Sequence, residues 1–221
     1  MIAAGLALVF DLDGVIVDST PLHNEAWRVY MQGLGIPCEN IEARMYARRN
    51  DEIVLDFFGN HLTSEEIFKH GAQKERLYRE MMAARLDTSL IPGVAGFLER
   101  HAGVSKAVAS NAEPENINFV LDGLALRRHF QVIIDGMQVE RPKPHPDIYA
   151  RAAKMLNVEP ANCIVFEDSP IGIEAARGAG ARVVGIETHA SVSGVDLRVR
   201  DFTRPELEEW LSAQTATGSK C

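Results

Sequence analysis

The chain has 221 residues, of which 46% are hydrophobic and 24% charged, a composition typical of a folded globular protein. Its formal net charge is −8 and it contains no run of lysine and arginine, which argues against a nucleic-acid partner. Three widely spaced cysteines argue against a disulfide framework and fit a reducing cytoplasm, and the apolar start of the chain is too short to span a membrane.

The first predicted strand, residues 6–10, is an apolar run that ends in Asp11 and Asp13 with Gly14 behind them. In open α/β sheets, ligands bind at the carboxyl ends of the strands, so both acids are candidates for a site. Side chains two residues apart along a bent loop can converge on one ligand, and Gly14 permits the bend. At this point the alternative is an acidic turn without a function.

Residues 18–83 carry no strong strand signal. The pattern predicts helices over residues 21–34, 50–58 and 63–85, and the third opens with Thr63 and Glu66 at the spacing of a capping box. These residues therefore form a helical insert between the first strand and the rest of the sheet.

Strands and helices alternate after the insert. Strands are predicted at 107–109, 132–134, 164–166 and 182–186, and helices at 93–102, 114–122, 146–157, 170–179 and 205–213. Strands joined by helical crossovers are parallel, so their carboxyl ends lie on one edge of the sheet. That edge would collect the polar residues that follow the strands, namely Asp11, Asp13, Ser110, Lys143, Glu167 and Asp168.

Four of these segments together resemble the ordered motifs of the haloacid dehalogenase superfamily: residues 10–14, Ser110-Asn111, Lys143 within Arg-Pro-Lys-Pro, and residues 167–169. The match extends over residues 6–186 and is similar to the branch of phosphoglycolate phosphatases and β-phosphoglucomutases. The resemblance implies a Rossmann-like parallel-sheet α/β core, residues 1–17 and 84–221, with an inserted helical cap, residues 18–83. Dehalogenases lack the second acid of the first motif, so Asp13 favours phosphoryl transfer.

Asp11, Asp13 and Lys143 are the predicted catalytic residues. A carboxylate such as Asp11 can attack phosphorus and carry the phosphoryl group as an aspartyl phosphate. Asp13 would serve as general acid and base, and Lys143 would place a positive charge beside the phosphoryl oxygens. The alternatives are a turn acid for Asp13 and a solvated surface lysine for Lys143.

Asp11, Glu167 and Asp168 form an all-oxygen set of possible metal ligands, which suits Mg²⁺. The resemblance adds Asp13, through its main-chain carbonyl, as a further ligand. Asp168 or Ser169 could instead cap the helix that begins at Pro170.

Ser110 and Asn111 are predicted to bind phosphate, with an ordinary helix cap as the alternative for Ser110. In the cap, the resemblance points to His23, Arg49 and Lys74 as substrate-binding residues. The glycine that usually precedes such an arginine is absent, since Tyr46-Ala47-Arg48 occupies the stretch, and the choice between Arg48 and Arg49 stays open. A polar helix face is the alternative for all three.

We therefore expect Mg²⁺-dependent hydrolysis of a small phosphorylated metabolite, most simply a sugar phosphate, through an aspartyl-phosphate intermediate. The second hypothesis is a β-phosphoglucomutase-like mutase, and the third is a non-catalytic module that binds phosphorylated metabolites. The expected state is a monomer or weak homodimer in the cytoplasm, with no nucleic-acid or membrane partner.

Overall fold

A six-stranded parallel sheet organises the computed structural model, which describes residues 2–41, 44 and 49–215. The strand order is β3-β2-β1-β4-β5-β6, so β1 lies between β2 and β4 near the middle. The strands are β1 (Ala7–Phe10), β2 (Ser105–Ala109), β3 (Val132–Ile134), β4 (Cys163–Glu167), β5 (Arg182–Ile186) and β6 (Leu197–Val199). The parallel α/β fold predicted from the sequence is confirmed. Strand β6 was not predicted from the sequence, because three residues with one exposed arginine give too weak a pattern.

The chain divides into two compact units, residues 1–18 with 89–221 and residues 19–88. We call them the sheet unit and the helical unit. The helical unit contains α1 (Thr20–Gly33), α2 (Asn50–Phe58) and α3 (Ser64–Ala83). Residues 84–88, which the sequence analysis assigned to the core, belong to the helical unit, and Tyr46-Ala47-Arg48 lies outside the described residues.

Helix starts follow the predicted signals. Thr63 Oγ1 accepts a hydrogen bond from Glu66 N, while Glu66 accepts one from Thr63 N, so the capping box is present. In the sheet unit, Pro146 is the cap residue before α6, whereas prolines occupy the first position of α5, α7 and α8. The sheet unit's helices are α4 (Val94–Arg100), α5 (Pro114–Gly123), α6 (Asp147–Met155), α7 (Pro170–Gly178) and α8 (Pro205–Ala213).

Alternation along the buried strands sorts side chains to the two faces of the sheet. Ala7 and Val9 of β1 belong to an apolar cluster with α6 and α7, whereas Phe10 stacks on Phe166 at 4.6 Å between ring centroids. Cys163 and Val165 of β4 belong to the same cluster as Ala7, and Glu167 is two residues further on the same strand. Glu167 is therefore directed toward the α6 and α7 face of the sheet.

The carboxyl ends of the strands meet at one edge, as the alternation predicted. Asp11 N donates to Phe166 O at 3.0 Å, which aligns the ends of β1 and β4, and Ser110 N donates to Ile134 O at 3.1 Å, which aligns those of β2 and β3. Among the described residues, no helix combines the length and the apolar character needed to cross a bilayer.

Candidate active site

A buried lysine joins two acids at the carboxyl edge of the sheet. Lys143 is 5% exposed, and its Nζ lies 2.9 Å from Asp11 Oδ1 and 2.6 Å from Glu167 Oε1. A solvated surface lysine, the alternative kept open for this residue, does not fit that environment. Burying a charged ammonium is costly unless partners compensate it, and here two carboxylates do so.

The turn after β1 brings Asp11 and Asp168 together. Gly14 has φ +75°, and its N–H donates to Val17 O at 2.7 Å, so the backbone bends where the sequence predicted. A β-carbon on Gly14 would lie 2.0 Å from Asp168 Oδ2. Glycine is therefore required at this position for both its backbone conformation and the close approach of Asp168.

Glu167 is fully buried and accepts hydrogen bonds at both oxygens. Oε1 accepts from Lys143 Nζ and from Tyr149 OH, each at 2.6 Å. Oε2 accepts from Asp168 N, Ser169 N and Ser169 Oγ at 3.0–3.2 Å. A β-carbon on Gly172 would lie 1.8 Å from Oε1, so this glycine makes room for the carboxylate.

Ser169, rather than Asp168, is the cap residue of α7, because its Oγ accepts from Gly172 N at 3.2 Å. The cap of α5 is Glu113, so Ser110 is not the ordinary helix cap that the sequence left open. Ser110 is 2% exposed, and its Oγ accepts from Ala112 N at 3.1 Å.

Asn111 contacts the main chain of the lysine loop. Its Oδ1 accepts from Lys143 N at 3.1 Å, and its Nδ2 donates to Lys143 O at 3.4 Å. A β-carbon on Gly136 would lie 2.8 Å from Asn111 O. Asn111 thus ties the end of β2 to the loop that carries Lys143.

Negative charge exceeds positive charge in this cluster, and the pKa values show it. Burial raises the pKa of Asp11 from 3.8 to about 7, with the Lys143 ammonium opposing that shift and the Glu167 and Asp13 carboxylates adding to it. Burial and the neighbouring acids also raise the pKa of Asp168 well above its usual range. Burial alone would lower the pKa of Lys143, but Asp11 and Glu167 raise it instead.

The donor set fits a hard divalent cation. Asp11, Glu167 and Asp168 each offer a carboxylate oxygen, and these atoms lie within 4.8 Å of one another. Oxygen donors without sulfur or imidazole are those that Mg²⁺ prefers. A cation at this position would offset the surplus negative charge that raises the pKa values of Asp11 and Asp168.

Tyr149 is a site residue that the sequence analysis missed. It is 2% exposed on α6, and burial followed by the nearby Glu167 charge raises its pKa well above the usual range, so the hydroxyl stays protonated and donates. The available signal was a tyrosine hydroxyl on the otherwise apolar face of the helix, which also carries Ile148 and Ala152. Only the packing of α6 against the sheet brings this hydroxyl to Glu167.

The helical unit contains a second buried cluster, around Lys74, which is 1% exposed. Lys74 Nζ lies 2.8 Å from both His23 Nδ1 and Glu75 Oε1, and 5.4 Å from the centroid of the Trp27 ring. Burial alone would raise the pKa of Glu75, but Lys74 and His23 lower it to about 2. His23 and Lys74 are therefore brought together, as partners within the helical unit.

Arg49 is not part of that cluster. Its side chain is 47% exposed, and its guanidinium pairs with Asp51, the two closest atoms being 2.5 Å apart. Arg49 is also the cap residue of α2, where Glu52 Oε2 accepts from its main-chain N–H at 2.9 Å. The alternative residue, Arg48, lies outside the described residues.

Comparisons with known proteins relate this chain to one family. A family model described as haloacid dehalogenase-like hydrolase matches residues 6–180. β-Phosphoglucomutase of Bacillus subtilis is 32% identical over 92% of this chain and 95% of its own length, and fructose-1-phosphate phosphatase of Escherichia coli is 29% identical over 81% and 95%. The crystal structure of β-phosphoglucomutase from Clostridium difficile superimposes with a TM-score of 0.81 at 27% identity, covering 96% and 97%.

The family resemblance and the prediction of an enzyme are thereby confirmed, and the non-catalytic binding module loses its support. The site at the sheet edge and the family match over most of the chain lead to the same conclusion: the chain belongs to the haloacid dehalogenase-like hydrolases and is an enzyme of the phosphotransfer type.

Proposed function

We propose that this chain is a Mg²⁺-dependent phosphatase that hydrolyses a small phosphorylated sugar through a phosphoryl group carried on Asp11. The observation that carries the proposal is the Lys143 ammonium, buried between Asp11 and Glu167 at the edge where such sheets bind ligands. The relative named fructose-1-phosphate phosphatase supports a sugar phosphate as the substrate.

In the first step, the Asp11 carboxylate attacks phosphorus, and the bond between phosphorus and the sugar oxygen breaks. Asp13, half-buried on the same bent turn, donates a proton to the departing oxygen. The products are the free sugar and an aspartyl phosphate on Asp11.

In the second step, a water molecule attacks the phosphoryl group while Asp13 accepts its proton. The bond between Asp11 and phosphorus breaks, inorganic phosphate leaves and the carboxylate is restored. Asp13 thus acts as acid in one step and as base in the next.

Charge on the phosphoryl oxygens is offset by fixed groups. Lys143 supplies an ammonium that two acids hold in place, and the Asn111 side chain holds the main chain of the same residue. The Ser110 hydroxyl, almost fully buried at the end of β2, is a donor for a phosphoryl oxygen. Mg²⁺, held by Asp11, Glu167 and Asp168 with the Asp13 main-chain carbonyl, would neutralise further negative charge on those oxygens.

The test is hydrolysis of p-nitrophenyl phosphate by purified protein. We expect EDTA to stop release of p-nitrophenol and excess Mg²⁺ to restore it, with Zn²⁺ much less effective because the site offers no thiolate or imidazole. Full activity in excess chelator would contradict the metal role of the three acids.

A mutase is the second candidate, favoured by the 32% identity to β-phosphoglucomutase. A mutase must retain the intermediate bisphosphate, which needs cations for a second phosphate. Lys74 already has Glu75 and His23 as close partners, and Arg49 pairs with Asp51, so neither cation is free of an internal partner. This supports hydrolysis as the first choice, with His23, Arg49 and Lys74 kept as proposed substrate-binding residues.

The two candidates differ in their products. The protein is incubated with Mg²⁺, β-glucose 1-phosphate and a trace of the 1,6-bisphosphate, and free phosphate and glucose 6-phosphate are measured together. We expect free phosphate to dominate. Dominant glucose 6-phosphate would establish the mutase instead, and Arg49→Ala should then suppress isomerisation more than hydrolysis of p-nitrophenyl phosphate, which has no second phosphate.

A further inference from the structure

We propose that Tyr149 is a positioning residue of the active site, whose hydroxyl holds Glu167 so that Lys143 remains against Asp11. The inference rests on the proposed function only in treating Lys143 as the cation that meets the phosphoryl group. Tyr149 contacts Glu167 and Lys143, and it acts through these two neighbours.

The geometry places two donors on one oxygen. Tyr149 OH and Lys143 Nζ each lie 2.6 Å from Glu167 Oε1, and Lys143 Nζ lies 5.0 Å from the centroid of the Tyr149 ring. All three residues are at most 5% exposed. Water therefore has little access to replace either donor.

The shared oxygen explains why the hydroxyl matters for Lys143. Lys143 divides its charge between Glu167 at 2.6 Å and Asp11 at 2.9 Å. The hydrogen bond from the Tyr149 hydroxyl offsets part of the negative charge on Glu167 Oε1. Oε1 therefore attracts the Lys143 ammonium less strongly. Without that hydroxyl, Glu167 would draw Lys143 toward itself and away from Asp11.

The ring of Tyr149 is held independently of its hydroxyl. Tyr149 belongs to the apolar cluster that includes Ile148 and Ala152 of α6 and Val165 of β4. Removing only the oxygen should therefore leave the ring in place and the domain folded. Tyr149→Phe is thus a clean way to remove the positioning contact.

The experiment is a double-mutant cycle read by calorimetric binding of inorganic phosphate in Mg²⁺ buffer. The proteins are the unmodified chain, Tyr149→Phe, Lys143→Met and the double variant. We expect Tyr149→Phe to weaken phosphate binding by about 3- to 10-fold when Lys143 is present and to have no effect in the Lys143→Met protein. An equal loss in both backgrounds would overturn the proposal, because a purely structural tyrosine acts additively.

A matched control removes a different hydroxyl from the same carboxylate. Ser169 Oγ donates to Glu167 Oε2, the oxygen that Lys143 does not contact. Ser169→Ala should therefore change phosphate binding by the same factor with and without Lys143. Coupling as large as that of Tyr149→Phe would show that any lost donor disturbs Lys143, which contradicts a specific role for Tyr149.

A second measurement needs no loss of the hydroxyl. With 3-fluorotyrosine placed at residue 149, Lys143→Met should shift the fluorine resonance, whereas Lys154→Met, an exposed lysine on the same helix, should not. An unchanged resonance in the Lys143→Met protein would overturn the shared contact. This readout decides the inference even if Tyr149→Phe fails to fold, or if the unmodified protein binds no phosphate and the proposed function fails.

Discussion

Each unit of this protein buries a lysine among ionisable partners, but the two clusters differ in charge balance. In the helical unit, Lys74 pairs with one carboxylate, Glu75, and contacts His23. In the sheet unit, Lys143 contacts Asp11 and Glu167, and the Asp168 and Asp13 carboxylates lie close enough to act on Asp11 or one another, so negative charge exceeds positive charge when all are ionised. In the Lys74 cluster the lysine and the glutamate balance each other, whereas the Lys143 cluster keeps a surplus negative charge that a cation can neutralise.

The pKa values of the buried acids shift in opposite directions in the two clusters, in agreement with this difference in charge balance. Burial favours the neutral acid in both places. The Lys74 ammonium overcomes burial and lowers the pKa of Glu75 to about 2, while Lys143 does not overcome it, so the pKa of Asp11 rises to about 7. A buried acid with a dedicated cation stabilises the fold, and a buried acid without one is poised to bind a ligand.

The largest expected difference between the clusters is in turnover. Asp11→Asn keeps the shape of the side chain but cannot accept a phosphoryl group, so we expect a loss on the order of 10⁴-fold or more in kcat for p-nitrophenyl phosphate. Circular dichroism should show an unchanged fold. The control is Asp122→Asn, a surface acid paired with Arg127, which should keep normal kcat. Near-native kcat in Asp11→Asn would exclude it as the nucleophile.

Asp13→Asn tests proton transfer at the same edge. The amide cannot protonate the departing oxygen or activate water, so kcat should fall by roughly 10²–10⁴-fold. Binding of inorganic phosphate, measured by calorimetry, should persist because the Asp11 and Lys143 groups remain. Loss of binding together with turnover would instead indicate that Asp13 holds the turn in shape.

In chelating buffer, removal of one acid should lower the stability in the Lys74 cluster and raise it in the Lys143 cluster. Glu75→Gln leaves Lys74 buried without its counter-ion and should cost about 3 kcal/mol. Asp168→Asn removes a surplus carboxylate, and the ionised form of that carboxylate destabilises the fold. The free energy of unfolding of this variant should therefore be higher than that of the unmodified protein. Urea unfolding followed by fluorescence can resolve the units, since Trp27 lies in the helical unit and Trp210 in the sheet unit. Destabilisation by Asp168→Asn in EDTA would contradict the surplus charge.

In Mg²⁺, the stability advantage of Asp168→Asn over the unmodified protein should be reversed. A ligand that binds only the folded state stabilises it in proportion to its affinity, so the unmodified protein should gain stability in Mg²⁺ while Asp168→Asn gains little. The Glu75→Gln difference should be the same with and without Mg²⁺.

The smallest expected effect is the change in the stability of the helical unit as the pH falls. The folded-state pKa of Glu75 is about 2, below its ordinary 4.5, so its contribution is fully present above pH 4.5 and disappears as the pH falls toward 2. The difference in unfolding free energy between the unmodified protein and Glu75→Gln should therefore shrink over that range. A constant difference from pH 5 to pH 2 would show that Glu75 acts through packing instead of charge.

Sequence patterns predicted the strands and helices well because local signals and burial agree. Residues 132–134 and 182–186 are strands with the predicted bounds, and residues 50–58 and 205–213 are helices with theirs. The short edge strand β6 was not predicted, because a strand of three residues leaves little periodicity.

The candidate site was predictable where residues follow a strand end. Asp11, Ser110 and Glu167 stand directly at the ends of β1, β2 and β4, so parallel pairing alone places them on one edge. Tyr149 was not predictable in this way, because it belongs to a helix, and a helix approaches its strand through side-chain packing that the linear pattern does not record.

By itself, then, the sequence determined the parallel sheet, the order of its elements and which edge collects the acids, since hydrophobic periodicity and chain connectivity decide these. Tertiary structure alone decided which charges are buried and how they pair. It placed Lys143 between Asp11 and Glu167, gave Lys74 its own acid, and put the Tyr149 hydroxyl on Glu167. Coulombic and hydrogen-bond energies depend on distance and exposure, which only the folded chain possesses.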